Sequence, residues 1–167
     1  MTDTPVALPQ LVVDTVLKAT GAVSVGELDS GLPAVEGTVE RDGRRWRLQV
    51  VSYPGDVLVA ASFVREVVPP AHRDAAALFA NRVNWALLVG DAEVDPGDGT
   101  VRICTSLCPL GTIITGALAE GMVGANVGTA TFVLPGFERV AEGEDPQMVA
   151  DEVLDQIEVE GIDLRLE

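Results

Sequence analysis

Cysteine and histidine are scarce in this 167-residue chain, which has two cysteines and one histidine. Two cysteines are too few for a disulfide framework, so we expect a reducing compartment. On an extended strand Cys104 and Cys108 would stand about 13 Å apart, whereas a disulfide needs roughly 4.4 to 6.8 Å between Cα atoms. We therefore expect two core or half-buried thiols. With His72 alone and no clustered ligand spacing, we also expect no bound metal ion and no cofactor.

Positive charge is also in short supply, because 11 lysines and arginines face 26 acids and leave a net charge of −15. Residues 138–167 carry −9 of this charge, and everything before them only −6. A negative field repels phosphate backbones, so we expect no nucleic-acid partner. The N-terminus lacks a basic segment ahead of an apolar run, which predicts a cytoplasmic protein without a secretory signal.

One stretch is poor in charge altogether, since Glu120 is the only charged residue between Ile103 and Phe137. This stretch is interrupted by Pro109 and Pro135 and is rich in glycine, threonine and alanine. A carboxylate in the middle of a bilayer would cost about 2.5 to 3.5 kcal/mol. We therefore expect a soluble protein and no membrane span.

The composition is that of a folded domain, with 47% apolar and 22% charged residues. The length allows one ordinary domain with a tail. We expect an α+β domain over residues 1–140 and an acidic C-terminal extension over residues 141–167. Asp145 and Pro146 are typical of an N-cap and first helical turn, which predicts a short acidic helix in this extension.

The first half of the chain predicts a helix followed by a β-hairpin. Apolar residues at helical spacing lead to Gly21, a suitable C-cap, and residues 22–34 are expected to form a loop. Residues 35–40 and 45–50 then alternate between apolar and polar residues around an Asp-Gly turn. The register set by this turn pairs Glu40 with Arg45. The arginines of the hairpin are therefore expected to form a solvated ion-paired face rather than an anion site.

The rest of the domain predicts a mainly antiparallel five-stranded sheet with packed helices. The apolar run at 57–64 is expected to be a central strand, followed by a helix over residues 71–85 that begins at a proline. Two strands near 87–94 and 100–107 complete the sheet. The predicted order is α-β-β-β-α-β-β-α, and only the connection through residues 71–85 is long.

A long helix of a different kind is predicted from Thr112 to about Val133, with Pro135 ending it. Its faces are apolar nearly all round, and small residues align on a narrow stripe. Such a helix is normally buried on more than one side, so close packing explains its glycines better than a dinucleotide site. We expect a homodimer whose partner or dimer surface comprises Ala117, Gly121, Gly124, Gly128, Val153 and Ile157.

The stretch from Phe79 to Leu107, "FANRVNWALLVGDAEVDPGDGTVRICTSL", carries a family resemblance. It combines an asparagine-marked helix end, a glycine before an acidic strand, a turn, and a strand ending in Thr-Ser. The chain thereby resembles the YbjN family of bacterial proteins, labelled sensory transduction regulators, over about residues 9–140. The resemblance implies the fold of type III secretion chaperones, which are typically dimers that hold extended client segments. It supplies no catalytic residues.

The acidic segment between Gly90 and Thr105 looks at first like a metal or phosphate site. Counting from Asp91, however, Pro96 and Arg102 occupy the places where an EF-hand loop needs glycine and glutamate. Glycines, a proline and two aspartates that bond local amides instead predict a hairpin turn.

The sequence leaves three classes of function open. The first is a non-enzymatic protein-binding, chaperone-like or regulatory module. The second is a small-molecule sensor or enzyme, with a polar notch formed by Asn81, Asn84 and Trp85. The two asparagines could equally cap their own helix end. The third is a structural subunit of a larger complex. No catalytic set is predicted, since a general base needs a positioned partner that His72 does not show.

Overall fold

A computed structural model describes residues 8–64, 66–109 and 113–159. The helices and strands follow one another along the chain in this order: α1 (Gln10–Thr20), β1 (Val23–Glu27), β2 (Pro33–Arg41), β3 (Arg44–Tyr53), β4 (Val57–Phe63), a 3₁₀ turn (Pro70–His72), α2 (Arg73–Ala86), β5 (Asp91–Val94), β6 (Val101–Leu107), α3 (Gly116–Ala141) and α4 (Pro146–Val159). The strands form one open antiparallel sheet in the order β1-β2-β3-β4-β6-β5. The fold is therefore α+β, as predicted.

Within the described residues the sheet has six strands rather than the expected five, because residues 23–27 form β1 where a loop was predicted. β1 pairs antiparallel with β2, so that Val25 faces Val35 across the ladder. Four of its five residues are exposed, Val25 at 58%. Apolar residues alternate here only at Val23 and Val25, and glycines at 21, 26 and 31 favour a loop, so the pattern is too short to predict a strand. Backbone pairing with β2 at the sheet edge, rather than burial of one face, holds β1 in place.

The hairpin of β2 and β3 follows the predicted register. Asp42 and Gly43 take φ angles of 52° and 74°, the left-handed backbone of a type I′ turn. Glu40 lies directly opposite Arg45, and the two side chains form an ion pair of 2.8 Å. Both side chains are about two-thirds exposed, so this ion pair contributes little to the stability of the fold.

The chain divides into two compact units. Unit 1 comprises residues 1–62 and 105–127, and its core packs α1 and the first part of α3 with the first four strands. Val12, Val16, Leu48 and Ala60 are fully buried there. Unit 2 comprises residues 63–104 and 128–167 and contains α2, β5, most of β6, the last part of α3 and α4.

The core of unit 2 centres on an aromatic pair. Phe79 from α2 meets Phe137 from α3 edge to face, with ring centroids 4.7 Å apart and planes 78° apart. Gly136 makes this contact possible, because a Cβ at that position would collide with the ring of Phe79. α4 packs on α2 and closes the core with Val149, Ala150, Val153 and Ile157, all buried. The predicted N-cap of α4 is confirmed, since Oδ1 of Asp145 accepts hydrogen bonds from two backbone amides of the first turn.

α3 does not stop before Pro135 but continues to Ala141, so the predicted end of this helix was wrong. A proline inside a helix costs about 3 kcal/mol. Beyond it, however, Phe137 and Val140 are 1% and 0% exposed, and burying such side chains contributes about 1.5 to 3 kcal/mol each. Tertiary burial thus offsets the local preference of the proline.

α3 is long and apolar enough to cross a membrane by length and composition alone, within the part of the chain that the structure describes. Half of the most apolar 18-residue segment of this helix is buried inside the protein. The core helix of a soluble protein meets the same criteria, so length and composition alone do not identify a membrane span.

Candidate protein-binding surface

The small residues of α3 lie opposite its buried face. In unit 1 the buried face presents Ala119, Met122, Val123 and Asn126, whereas Ala117, Gly121 and Gly124 are exposed. A Cβ added to Gly121 or Gly124 would meet no atom of the described chain within 4 Å. The described residues therefore do not supply the close helix packing predicted for Gly121 and Gly124, which stays a prediction for a second chain or a partner. The small residues form a smooth open strip, which we call the glycine face and define as Ala117, Gly121 and Gly124.

Gly128 continues the helix into unit 2. It is half-buried, and a Cβ there would likewise meet nothing among the described residues within 4 Å. The flank of the glycine face in unit 1 carries Glu120, whose carboxylate pairs with the ammonium of Lys18 from α1 at 3.1 Å. Both side chains are more than half exposed, so this pair borders the face without covering it.

A buried polar network holds α3 in this rotation. The indole N–H of Trp46 donates to Oγ of Ser62 at 3.0 Å, and the Ser62 hydroxyl donates to Oδ1 of Asn126 at 2.6 Å. The Asn126 amide in turn donates to the backbone carbonyl of Ala60 at 3.0 Å. Turning the helix about its axis would break these bonds in a buried core, so the network keeps the glycine face pointing outward.

Sequence reasoning missed this network. The signal for it was a single asparagine, Asn126, on the apolar face that also carries Met122 and Val123. A buried side-chain amide needs hydrogen-bond partners, and Asn126 finds them in Ser62 and the Ala60 carbonyl of β4. Ser62 is the one polar residue in this otherwise apolar strand.

An apolar cavity of about 320 Å³ lies at the N-terminal end of α3 in unit 1. Its wall is lined by Pro9, Leu11, Ser52, Asp56, Leu58, Pro109, Ile113 and Ile114. Leu58 forms the floor with 2% exposure, while Ile113 is 84% exposed at the rim. Asp56 brings the one carboxylate of this lining and has a left-handed backbone with φ of 63°. The size and apolar lining resemble those of small-molecule sites.

Val153 and Ile157 were predicted to lie on the partner surface, but both are buried, so this part of the prediction was wrong. They are 3% and 1% exposed in the core of unit 2, because α4 turns its apolar side toward α2. The acidic extension predicted from residue 141 onward therefore includes a helix that is integral to this unit.

The predicted polar notch at Asn81, Asn84 and Trp85 does not form. The side-chain amide of Asn84 donates to the carbonyl of Ala92 at 2.9 Å and accepts from the amide of Ala92 at 2.7 Å. These two bonds tie α2 to β5, so Asn84 has a structural role, although the bonds are to a strand and do not cap its own helix end. Asn81 is exposed on the outer side of α2, and the Trp85 side chain is 88% exposed.

The two cysteines are free, and their environments differ. Cys104 is buried as predicted, and burial raises its pKa to about 11. Its thiol therefore stays protonated at neutral pH, and the protonated form is a poor nucleophile. Cys108 is exposed, which corrects the expectation of a core or half-buried thiol there. β6 ends at Leu107, so Cys108 lies just beyond the strand that buries Cys104.

The acidic loop after β5 is a turn, as predicted. Oδ1 of Asp95 accepts from the amide of Gly97 at 2.7 Å, and Oδ1 of Asp98 accepts from the amide of Thr100 at 2.7 Å. The hydrogen bond from the Thr100 amide is the largest influence that lowers the pKa of Asp98. Arg73 of α2, which sequence reasoning did not connect with this loop, donates to three of its carbonyls.

In the described residues, no three histidine, cysteine, aspartate or glutamate side chains gather so that they could hold a metal ion. The sequence matches no protein-family model, and no curated protein shows significant similarity to it.

Proposed function

We propose that the protein is a non-enzymatic protein-binding module that acts as a homodimer, with a second copy of the chain seated on the glycine face. The observation that carries this proposal is the open apolar strip at Ala117, Gly121 and Gly124, directly opposite the buried side of α3. Small residues let two helix backbones approach closely, and a two-fold axis presents the same strip on both chains.

The charge distribution supports this placement. Unit 1 carries nine acids and five bases, a net charge of −4, whereas unit 2 carries seventeen acids and six bases, a net charge of −11. Bringing two copies together through unit 1 therefore meets less repulsion than any contact through unit 2. The Lys18–Glu120 pair at the flank adds one charge of each sign.

Light scattering on size-separated protein tests the dimer. We expect a mass of twice 17.5 kDa for the natural chain and a shift toward 17.5 kDa for Gly124→Leu. Ala77→Leu, at an exposed position on α2, is the matched control and should stay dimeric. Unfolding is compared at a concentration low enough to dissociate every variant, where Gly124→Leu should be no less stable than the natural chain.

Two results would contradict the dimer. One is a natural chain that stays monomeric at high concentration. The other is a dimer that survives both Gly121→Leu and Gly124→Leu.

A second candidate function is binding of a small apolar molecule in the cavity of unit 1. The observation in its favour is the lining, which combines apolar side chains with the carboxylate of Asp56 and so suits an aliphatic or aromatic amine. Native mass spectrometry of the protein from its own cells would show such a molecule as added mass. Leu58→Trp, which fills the cavity, should abolish it.

A further inference from the structure

The outer side of α2 in unit 2 carries large apolar side chains in water. Leu78 is 45% exposed and Trp85 is 88% exposed, while Trp46, the other tryptophan, is 5% exposed. Leu88 and Val89, directly after the helix, are 49% and 40% exposed. A patch of this kind on a charged domain marks an interaction surface, and tryptophan is the residue most enriched among those that dominate binding energy.

Leu78 and Trp85 lie on one stripe of α2 together with two exposed polar residues. Asp74, Leu78, Asn81 and Trp85 follow one another at spacings of four, three and four residues, which is the seam spacing of packed helices. The stripe is about 16 Å long at 1.5 Å per residue. The buried residues Ala76, Phe79, Ala80 and Val83 hold the opposite side of α2 in the core. We call the stripe from Asp74 to Trp85, with Leu88 and Val89, the Trp85 face.

Carboxylates surround this face. Asp74 lies at its N-terminal end, and Asp91 follows Val89 at the other end. At its side the guanidinium of Arg82 is held by Asp151 of α4 at 2.8 Å, and Glu152 binds Arg139 at 2.7 Å. Arg82 and Arg139 are thus ion-paired within unit 2, which keeps a net charge of −11.

We propose that the Trp85 face binds a basic amphipathic helix of another protein. The helical form follows from the seam spacing, and the apolar side of the partner helix would cover Leu78 and Trp85. Its lysines or arginines would face Asp74 and Asp91 at the two ends of the face. A second copy of this chain does not suit the face, because it would bring two surfaces of net charge −11 together.

The probe is a synthetic 18-residue helical peptide with leucine at the seam positions and lysine elsewhere. Its binding to the full chain is measured. Anisotropy of a labelled peptide gives the affinity, and tryptophan emission should shift to shorter wavelength as the indole of Trp85 leaves water. Two further peptides serve as controls, one with glutamate in place of every lysine and one with serine in place of every leucine. Neither should bind comparably.

Variants of the chain locate the site. Trp85→Ala and Leu78→Ala should each weaken binding of the leucine–lysine peptide roughly tenfold or more. Val67→Ala is the matched control, because Val67 is 57% exposed in unit 2 but lies outside the face. It should bind as the natural chain does. Both face residues are exposed, so folding should be unchanged by circular dichroism.

Three outcomes would overturn the proposal. Equal affinity for the natural chain and Trp85→Ala, or equal affinity for the serine–lysine peptide, would mean that charge alone attracts the probe. Conversion of a dimer to a monomer by Trp85→Ala would assign the face to a second copy. The dimer proposed above stands apart, because Gly124→Leu should dissociate it and leave peptide binding unchanged.

Discussion

The hydroxyl of Ser62 on β4 donates a 2.6 Å hydrogen bond to the side-chain carbonyl of Asn126 on α3, in a core where both residues are fully buried. The same hydroxyl accepts from the indole of Trp46. One bridge thus joins two strands of the sheet to the helix that displays the glycine face. The orientation of this face depends on polar bonds as much as on apolar packing.

Asn126→Ala should destabilise the fold by about 3 kcal/mol, because it removes the acceptor of the Ser62 hydroxyl and the amide that donates to the Ala60 carbonyl in the core. Urea denaturation measures the loss. Thr129→Val is the matched control on the same helix, since the Thr129 hydroxyl is buried without a hydrogen-bond partner in the structure. That variant should be neutral or up to about 1 kcal/mol more stable. A neutral Asn126→Ala would show that the network adds nothing.

Two glycines of α3 should respond in opposite ways to alanine. At Gly136 the new Cβ would collide with the Phe79 ring and press on Val153, so we expect destabilisation of about 2 to 3 kcal/mol. At Gly124 the space is open, so alanine should stabilise the helix by roughly 0.5 to 1 kcal/mol through propensity. Thermal unfolding of both variants, at a concentration where the chain is monomeric, decides the matter. Equal shifts would contradict the packing described for Gly136.

The two thiols should differ sharply in reactivity at neutral pH. Cys108 is exposed and should react with iodoacetamide in the folded protein, whereas Cys104 should react only after unfolding. Mass spectrometry of the digested protein locates each label. Labelling in denaturant, where both thiols should react equally, is the control. Fast modification of Cys104 in the folded chain would contradict its burial.

Burial of Cys104 also predicts a dependence of stability on alkaline pH. The folded pKa of about 11 lies above the ordinary value of 9.0, so the folded chain keeps a proton that the unfolded chain releases in this range. The free energy of unfolding should therefore fall as pH rises from about 9 toward 11. Comparison with Cys104→Ala should isolate this slope, and an identical slope in the variant would argue against it.

Arg139 should hold the turn between α3 and α4. Its guanidinium binds Glu144 through Nη2 at 2.7 Å and Glu152 through Nη1 at 2.7 Å, and its hydrogen bonds lower the pKa of Glu144. This contribution is present above the ordinary carboxylate pKa and is lost as pH falls through the lowered value. Arg139→Gln should speed hydrogen exchange at residues 142–149 at neutral pH. The difference should vanish in strong acid, and its persistence there would exclude the ion pairs as the cause.

Removal of α4 should unfold unit 2 rather than expose a docking surface. A chain ending at Glu144 loses Val149, Ala150, Val153 and Ile157 from the core, and burial of such side chains contributes about 1.5 to 3 kcal/mol for each larger one. We expect loss of cooperative unfolding and increased proteolysis within α2. A truncated chain as stable as the full one would show that α4 is dispensable.

Local chemistry in the sequence determined the elements whose signals are short in range. The Asp-Gly turn set the register that pairs Glu40 with Arg45. Asp145 capped α4, and the aspartates of the loop after β5 accepted hydrogen bonds from backbone amides of the same loop. The order of the predicted elements and their short connections likewise indicated an α+β fold. Each of these features depends on residues a few positions apart, so a pattern in the chain suffices to predict it.

Tertiary structure decided what depends on residues far apart. Burial of Phe137 stabilises the part of α3 that continues beyond Pro135. Backbone pairing with β2 holds residues 23–27 as a strand. Ser62 and Asn126, 64 residues apart, set the rotation of α3 and so turned its glycines outward instead of into the core. Helical periodicity predicts that small residues share a stripe, but only the packing of the whole helix determines whether that stripe faces protein or water.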